Sequence, residues 1–180
     1  MNRILIPLFI SFLVTMPLLS QERFPSYYSQ NDMELATPGT ILFGLNGYSN
    51  PAILTYLKQP NLYFTWNDNN SGLNNVSRYG LFAALPYFGF SMVDYKNNDF
   101  FFFFYKLSAA FGSSALSFGF DYGWSTGDVN YYNRSNIFTL GAIYRPADFL
   151  SFSVIGNLPT DNEKEGIFGI GIRPFGSYRF

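Results

Sequence analysis

The sequence predicts an all-β protein, an antiparallel up-and-down transmembrane β-barrel of about eight strands. Aromatic residues make up 21% of the 180 residues and charged residues only 13%, whereas charged residues are about a quarter of an ordinary soluble domain. The chain begins with an apolar segment that is typical of an export signal. Beyond residue 60, large apolar residues alternate with small or polar ones in segment after segment, as they do in membrane β-strands.

The first twenty residues, 1–20, predict a cleaved signal peptide. Met1–Arg3 supplies a short positive region, Ile4–Leu19 is almost wholly apolar, and a small serine follows at a suitable cleavage point. A transmembrane helix is the alternative, but the apolar run is near the lower length limit for a span and contains Pro7 and Pro17. We therefore expect export, with the cell outer membrane as the destination.

Residues 21–60 are expected to form an N-terminal leader that plugs or caps the barrel. Within it, residues 38–48 form a candidate strand. Asn50–Leu57 predicts a short helix, because Asn50 can cap it and Pro51 falls in the first turn, where proline is tolerated.

The barrel itself is expected over residues 61–180. The predicted strands, separated by turns rich in Asn, Asp and Ser, are 61–67, 77–85, 88–96, 100–111, 115–125, 135–145, 149–158 and 166–173. Counting 38–48 as a strand gives nine, whereas bacterial barrels normally have an even number. Either that first segment plugs or caps the barrel, or the chain is the front part of a longer protein; we expect a complete eight-stranded barrel.

The alternation assigns an outward face to the predicted strands. It is clearest over Leu116–Trp124, where five large apolar residues alternate with Ser, Gly, Asp and Gly. The residues predicted to face lipid are Leu116, Phe118, Phe120, Tyr122, Trp124, Phe138, Leu140, Phe152, Phe168 and Ile170. Phe100–Phe104 breaks the rule, which indicates either a packed barrel interior or a strand buried on both sides in a soluble sandwich.

The same phase places five charged residues on the inward face: Arg78, Lys106, Asp121, Arg145 and Arg173. A charge facing lipid near the midplane would cost about 2–4 kcal/mol, so this segregation supports a membrane barrel. The charges could form a lumenal array that selects a solute, or they could pair structurally inside a narrow barrel. Aromatic girdles near the strand ends are predicted from Trp66, Trp124, Tyr131, Tyr132 and Tyr144.

Several function classes are excluded by composition. Without Cys or His, the chain has no disulfide, no thiol chemistry and no His-based triad or zinc site. A net charge of −1 gives no basic footprint for nucleic acid. We expect no enzyme activity, no catalytic or metal-binding residues and no cofactor. The expected partners are outer-membrane lipid and, during biogenesis, the barrel-assembly machinery; the oligomeric state is left open.

Two resemblances bear on this prediction. Thr37–Ala52, with its Asn-Pro-Ala motif after a glycine-rich stretch, resembles the fatty-acid-transporter type of outer-membrane barrel. A closer resemblance is to the barrel-like region preceding the protease domain in some proteins labelled signal peptide peptidase A. It is carried by Leu62–Trp66, Tyr79–Phe82, Tyr122–Gly127 and Ile172–Gly176.

These resemblances imply a membrane region and no peptidase activity. The longer relatives use a serine nucleophile and a lysine base in their protease part, and no segment here resembles that part. The fatty-acid transporters use larger barrels than this length permits. Tyr178 and Phe180 resemble the aromatic C-terminal signal that the barrel-assembly machinery recognises.

The leading functional hypothesis is therefore a small outer-membrane barrel with a structural, anchoring or surface role. The alternatives are a transport or channel component, the membrane portion of a longer signal peptide peptidase-like protein, and a secreted soluble β-barrel that binds a ligand.

Overall fold

The computed structural model describes residues 44–68, 76–97, 100–130, 132–161 and 163–172. The predicted signal peptide and most of the predicted leader lie outside the described residues. The described part holds two 3-10 helices, η1 (Gly44–Gly47) and η2 (Pro51–Tyr56), followed by eight strands. The strands are β1 (Asn61–Asp68), β2 (Val76–Leu85), β3 (Phe88–Asn97), β4 (Phe100–Gly112), β5 (Leu116–Gly127), β6 (Ile137–Ala147), β7 (Leu150–Pro159) and β8 (Glu165–Ile172).

All eight strands belong to one antiparallel sheet in the order β1-β2-β3-β4-β5-β6-β7-β8. The predicted all-β, up-and-down class is confirmed, and the predicted strand bounds agree with the structure to within about two residues. The candidate strand over 38–48 is wrong where it can be examined, because Gly44–Gly47 is a 3-10 helix. Leu45 and Asn46 have φ of 41° and 55°, a left-handed conformation that no strand residue adopts.

The two ends of the sheet differ in their connections. At the end where β1 begins, the turns between strands are short: 86–87, 113–115 and 148–149. At the opposite end the connections are 69–75, 98–99, 128–136 and 160–164, of which only one is short. We call these the turn end and the loop end. Bacterial membrane barrels have short periplasmic turns and longer external loops, so this asymmetry has the expected form.

Proline shapes the turn end at two places. Between β2 and β3, Pro86 supplies the fixed φ of a tight turn and Tyr87 follows it with a φ of 71°, the sequence of angles of a type II turn. In β6, the pairing with β7 slips between Tyr144 and Ala147. Pro146 lies in this gap and has no N–H to donate, which accounts for the irregularity.

The two faces of the sheet differ in chemistry. The outward face carries exposed Phe, Leu, Ile, Trp and Tyr, whose rings pack against one another across neighbouring strands. Tyr105 of β4 stacks on Trp124 of β5 with ring centroids 5.4 Å apart, and Tyr122 lies 5.0 Å from Phe138 of β6. The inward face carries small, polar and aromatic residues that are mostly buried.

The run Phe100–Phe104 agrees with packing of one face against the interior and not with burial of both faces. Phe102 and Phe104 are buried in a cluster with Tyr48 and Phe82, whereas Phe101 points outward and is half exposed. The run is apolar on both faces because one face packs against the interior and the other belongs to the exposed aromatic band.

Candidate functional site

The most distinctive site of the fold is the contact between the inward face of the sheet and residues 44–57, which we call the plug segment. It contains η1 and η2 and packs against strands β1 to β6. The predicted short helix over 50–57 is confirmed as a 3-10 helix. The Asn50 side chain accepts a hydrogen bond from the Ala52 N–H at 3.0 Å, and Pro51 occupies the first helical position, where its missing N–H is not needed.

The Asn-Pro-Ala motif packs directly against two glycines of the sheet. Gly119 of β5 and Gly141 of β6 are direct cross-strand neighbours. A Cβ on Gly119 would collide with the backbone of Pro51 and Ala52, and a Cβ on Gly141 would collide with the Asn50 side chain. Only glycine therefore lets the plug backbone come this close to the strands.

A second anchor holds the beginning of the plug segment. Asn46 donates from Nδ2 to the carbonyl oxygens of Phe82 at 2.8 Å and of Asn61 at 3.3 Å. Gly47 follows with a φ of 88°, and a Cβ there would meet the Leu54 side chain. The left-handed turn over 45–47 thus folds η1 back onto η2.

A buried ion pair joins the plug segment to the middle of the sheet. Lys106 Nζ lies 2.8 Å from Asp121 Oδ2, donates to the Tyr48 carbonyl at 2.9 Å and lies 5.3 Å from the centre of the Tyr48 ring. Asp121 is fully buried and Lys106 nearly so. The Lys106 ammonium group therefore contacts both the Asp121 carboxylate of the sheet and the backbone of the plug segment.

The Lys106–Asp121 pair belongs to a polar row that continues across four more strand positions. Ser108, Asp121, Thr139, Asn157 and Glu165 are successive cross-strand neighbours. Thr139 donates from Oγ1 to Asn157 Oδ1 at 3.2 Å, and Asn157 donates from Nδ2 to Glu165 Oε2 at 3.1 Å. Because buried polar groups need partners, these two hydrogen bonds hold the inward polar side chains of β6, β7 and β8 in place.

At the turn end, Tyr56 joins the plug segment to β5 and to the turn that precedes it. Its hydroxyl donates to the Ser114 carbonyl at 3.2 Å and accepts from Ser117 Oγ at 3.4 Å. The Arg145 guanidinium lies 3.8 Å from the centre of the Tyr56 ring, within the range of a cation–π contact.

At the loop end, Tyr132 and Arg134, which lie between β5 and β6, pack against the aromatic cluster of the inward face. The Tyr132 ring lies 4.5 Å from the Phe102 ring, and its hydroxyl donates to the Phe100 carbonyl at 3.2 Å. The Arg134 guanidinium lies 5.0 Å from Phe102 and 5.6 Å from Phe104. The girdle position predicted for Tyr132 is therefore wrong, since this ring packs inward; Tyr131 lies outside the described residues.

The predicted inward charges can be placed individually. Lys106 and Asp121 pair in the interior, and Arg145 stacks on the plug segment rather than on a strand. Arg78 belongs to β2, but its side chain lies outside the described residues, as does the whole of Arg173. The described contacts of Lys106, Asp121 and Arg145 are of the kind that the structural interpretation predicts.

The residues predicted to face lipid lie on the outward face. Eight of them are exposed: Leu116, Phe118, Phe120, Tyr122, Phe138, Leu140, Phe168 and Ile170. Trp124 and Phe152 are partly covered by neighbouring rings. Contact with lipid itself stays a prediction.

Sequence reasoning missed the outward carboxylate of β3. Asp94 alternates with the buried inward residues Val93 and Tyr95, and it is only 9% exposed, between the neighbouring residues Tyr79 and Phe103. The period-two pattern of Ser91, Val93 and Tyr95 could have revealed this outward position. It also missed Asn46, whose role depends on a left-handed turn that no local pattern indicates.

Comparison of the chain with protein-family models, curated proteins and solved structures found no match. In the described part of the chain, no helix has the length and hydropathy needed to cross a membrane.

Proposed function

We propose that this protein is an outer-membrane β-barrel protein with a structural or anchoring role, whose interior is occupied by its own N-terminal plug segment. The single observation that supports this most strongly is the exposed apolar band on the outward face. The largest apolar patch on a typical soluble monomer is a few hundred Å², whereas here side chains such as Phe64, Leu107, Phe120, Leu140 and Phe168 are each about half exposed or more.

The band fits a lipid environment better than water. Leaving one large apolar side chain in water rather than burying it costs about 1.5–3 kcal/mol, and the cost is repeated on every strand. In a bilayer the same side chains are favoured, and the backbone groups between neighbouring strands are satisfied by strand pairing. The inward face holds Lys106, Asp121 and Thr139, polar groups that lipid would exclude, and the outward carboxylate of Asp94 is only 9% exposed.

The contents of the interior support an anchoring role over an open channel. The plug segment covers the inward face toward the turn end, and the connection 128–136 covers the aromatic cluster at the loop end. Lys106 and Asp121 pair with each other and the Arg145 guanidinium stacks on Tyr56, which favours structural pairing over a solute-selecting array.

Flotation of the full chain with liposomes tests the proposal. We expect the protein to float with the vesicles after an alkaline carbonate wash, and to migrate differently on gels before and after heating. Planar-bilayer recordings should show no stable conductance. Recovery of a soluble, folded protein in the wash would support the secreted binder instead, and stable single-channel steps would support the transport alternative.

A further inference from the structure

The two outer strands of the sheet, β1 and β8, have bare edges. Within the described residues, β1 pairs only with β2 and β8 pairs only with β7. The largest outward exposures are found there: Leu62 is 67% exposed and Ile172 is 68% exposed. Even Tyr63, which alternates onto the inward face, is 39% exposed. Unpaired strand edges promote association in water and are not viable in lipid, so both edges need partners.

The stagger between neighbouring strands shows where along the barrel axis those partners must lie. Direct cross-strand neighbours lead from Leu62 of β1 through Ala83, Phe90, Leu107, Tyr122 and Phe138 to Leu158 of β7. Leu158 is one residue beyond the last pair of β7 and β8, which is Asn157 with Glu165. All of β8 therefore lies closer to the turn end than this row of cross-strand neighbours, which begins near the start of β1.

This displacement equals about one strand length, and β1 and β8 each have 8 residues. A displacement that accumulates around a sheet is the shear of a tilted barrel. A shear of about eight residues over eight strands brings a β8 edge beside a β1 edge along the whole length of both strands. The two strands are then antiparallel. The outward sides match if Leu62 lies opposite Ile172 and Trp66 opposite Phe168, which places the inward residues Thr65 and Gly169 opposite each other.

The plug segment indicates that the β8 edge comes from another copy. At a strand spacing of about 4.8 Å and a tilt of about 40°, eight strands close into a cylinder about 16 Å wide between backbones, and sixteen into one about 32 Å wide. An eight-stranded interior is just wide enough to be filled by its own side chains or to hold one small ligand. Here the inward face also carries the plug segment, whose backbone and 3-10 helix η2 must fit among those side chains. Sixteen strands leave room for two such segments.

We infer that two copies of this chain join through their β1 and β8 edges into one sixteen-stranded barrel that encloses both plug segments. The arrangement is a closed two-fold dimer, in which β8 of each copy pairs with β1 of the other. Sixteen is an even strand number, as bacterial barrels require. The inference rests on the proposed membrane location and adds the partner and the surface to it.

Cysteine cross-linking tests the inference directly, because the chain has no Cys of its own. Two differently tagged forms, Thr65→Cys and Gly169→Cys, are coexpressed, extracted from membranes and oxidised. We expect a covalent dimer that contains both tags, since facing strand residues come within disulfide range. The matched control combines Thr65→Cys with Ser153→Cys, which lies beside Gly169 one strand further from the edge and should not cross-link.

The unsubstituted protein provides a second readout that does not depend on the variants. Its mass in detergent, with bound detergent subtracted, should correspond to two chains. A single-chain mass, or a Thr65→Cys/Gly169→Cys double variant that forms its disulfide within one chain, would overturn the inference. Liposome flotation of the same preparations separates the two proposals: floating protein with a single-chain mass contradicts only the dimer, and protein that does not float contradicts the membrane location as well.

Discussion

Replacing Lys106 by methionine should strongly destabilise the protein, because it removes the cation that pairs with a fully buried carboxylate. Asp121 is 0% exposed and would lose the partner that lies 2.8 Å away. Breaking a buried pair from one side costs about 3–5 kcal/mol. The Tyr48 carbonyl also loses a charged donor, worth about 1.5–3 kcal/mol, although the two losses share one side chain and are not additive. We expect a loss near the upper end, about 5 kcal/mol.

Urea unfolding in detergent micelles, followed by tryptophan fluorescence, measures this loss. The double variant Lys106→Met/Asp121→Leu is the control, because replacing both charges with apolar groups is often neutral or stabilising. It should recover most of the lost free energy of unfolding. The account of the ion pair would be refuted if the single variant lost less than about 1 kcal/mol, or if the double variant were less stable than the single one.

Three further substitutions test the two faces and the plug contact. Phe120→Arg places a charge on the outward face and should cost about 2–4 kcal/mol of membrane stability, whereas Thr65→Arg on the inward face should be tolerated; equal yields of heat-modifiable protein would contradict the face assignment. Gly119→Val should destabilise by about 1–3 kcal/mol through its collision with the plug backbone, while Gly156→Val, with open space around it, should unfold at the wild-type urea concentration. Asn50→Ala removes the helix cap and should lower the unfolding free energy by about 0.5–2 kcal/mol; an unchanged urea midpoint would show that the cap contributes nothing.

The strands were predictable because their signal is local. Alternation of large and small residues over Leu116–Trp124, bounded by polar turns, fixes both the strand and its faces without knowledge of its neighbours. The Asn50-Pro51 pair likewise predicts a helix start from sequence alone, and the structure confirms it.

The contacts of the plug segment could not be predicted, because they join residues far apart in the chain. Nothing near Gly119 or Gly141 in sequence indicates that Asn50–Ala52 will lie on them. Ser117 shows the same limit: its pattern marks an inward residue, but only the fold reveals that it is fully buried beside Tyr56. An arginine there would disturb the plug, so Thr65 is the better inward control for Phe120.

The two native tryptophans can show directly whether the outward face contacts lipid. Trp66 and Trp124 both lie on the outward face, and the chain has only these two. In vesicles containing brominated acyl chains, we expect strong quenching of their fluorescence and little quenching by aqueous acrylamide. Fluorescence that acrylamide quenches fully and brominated lipid leaves unchanged would contradict lipid contact.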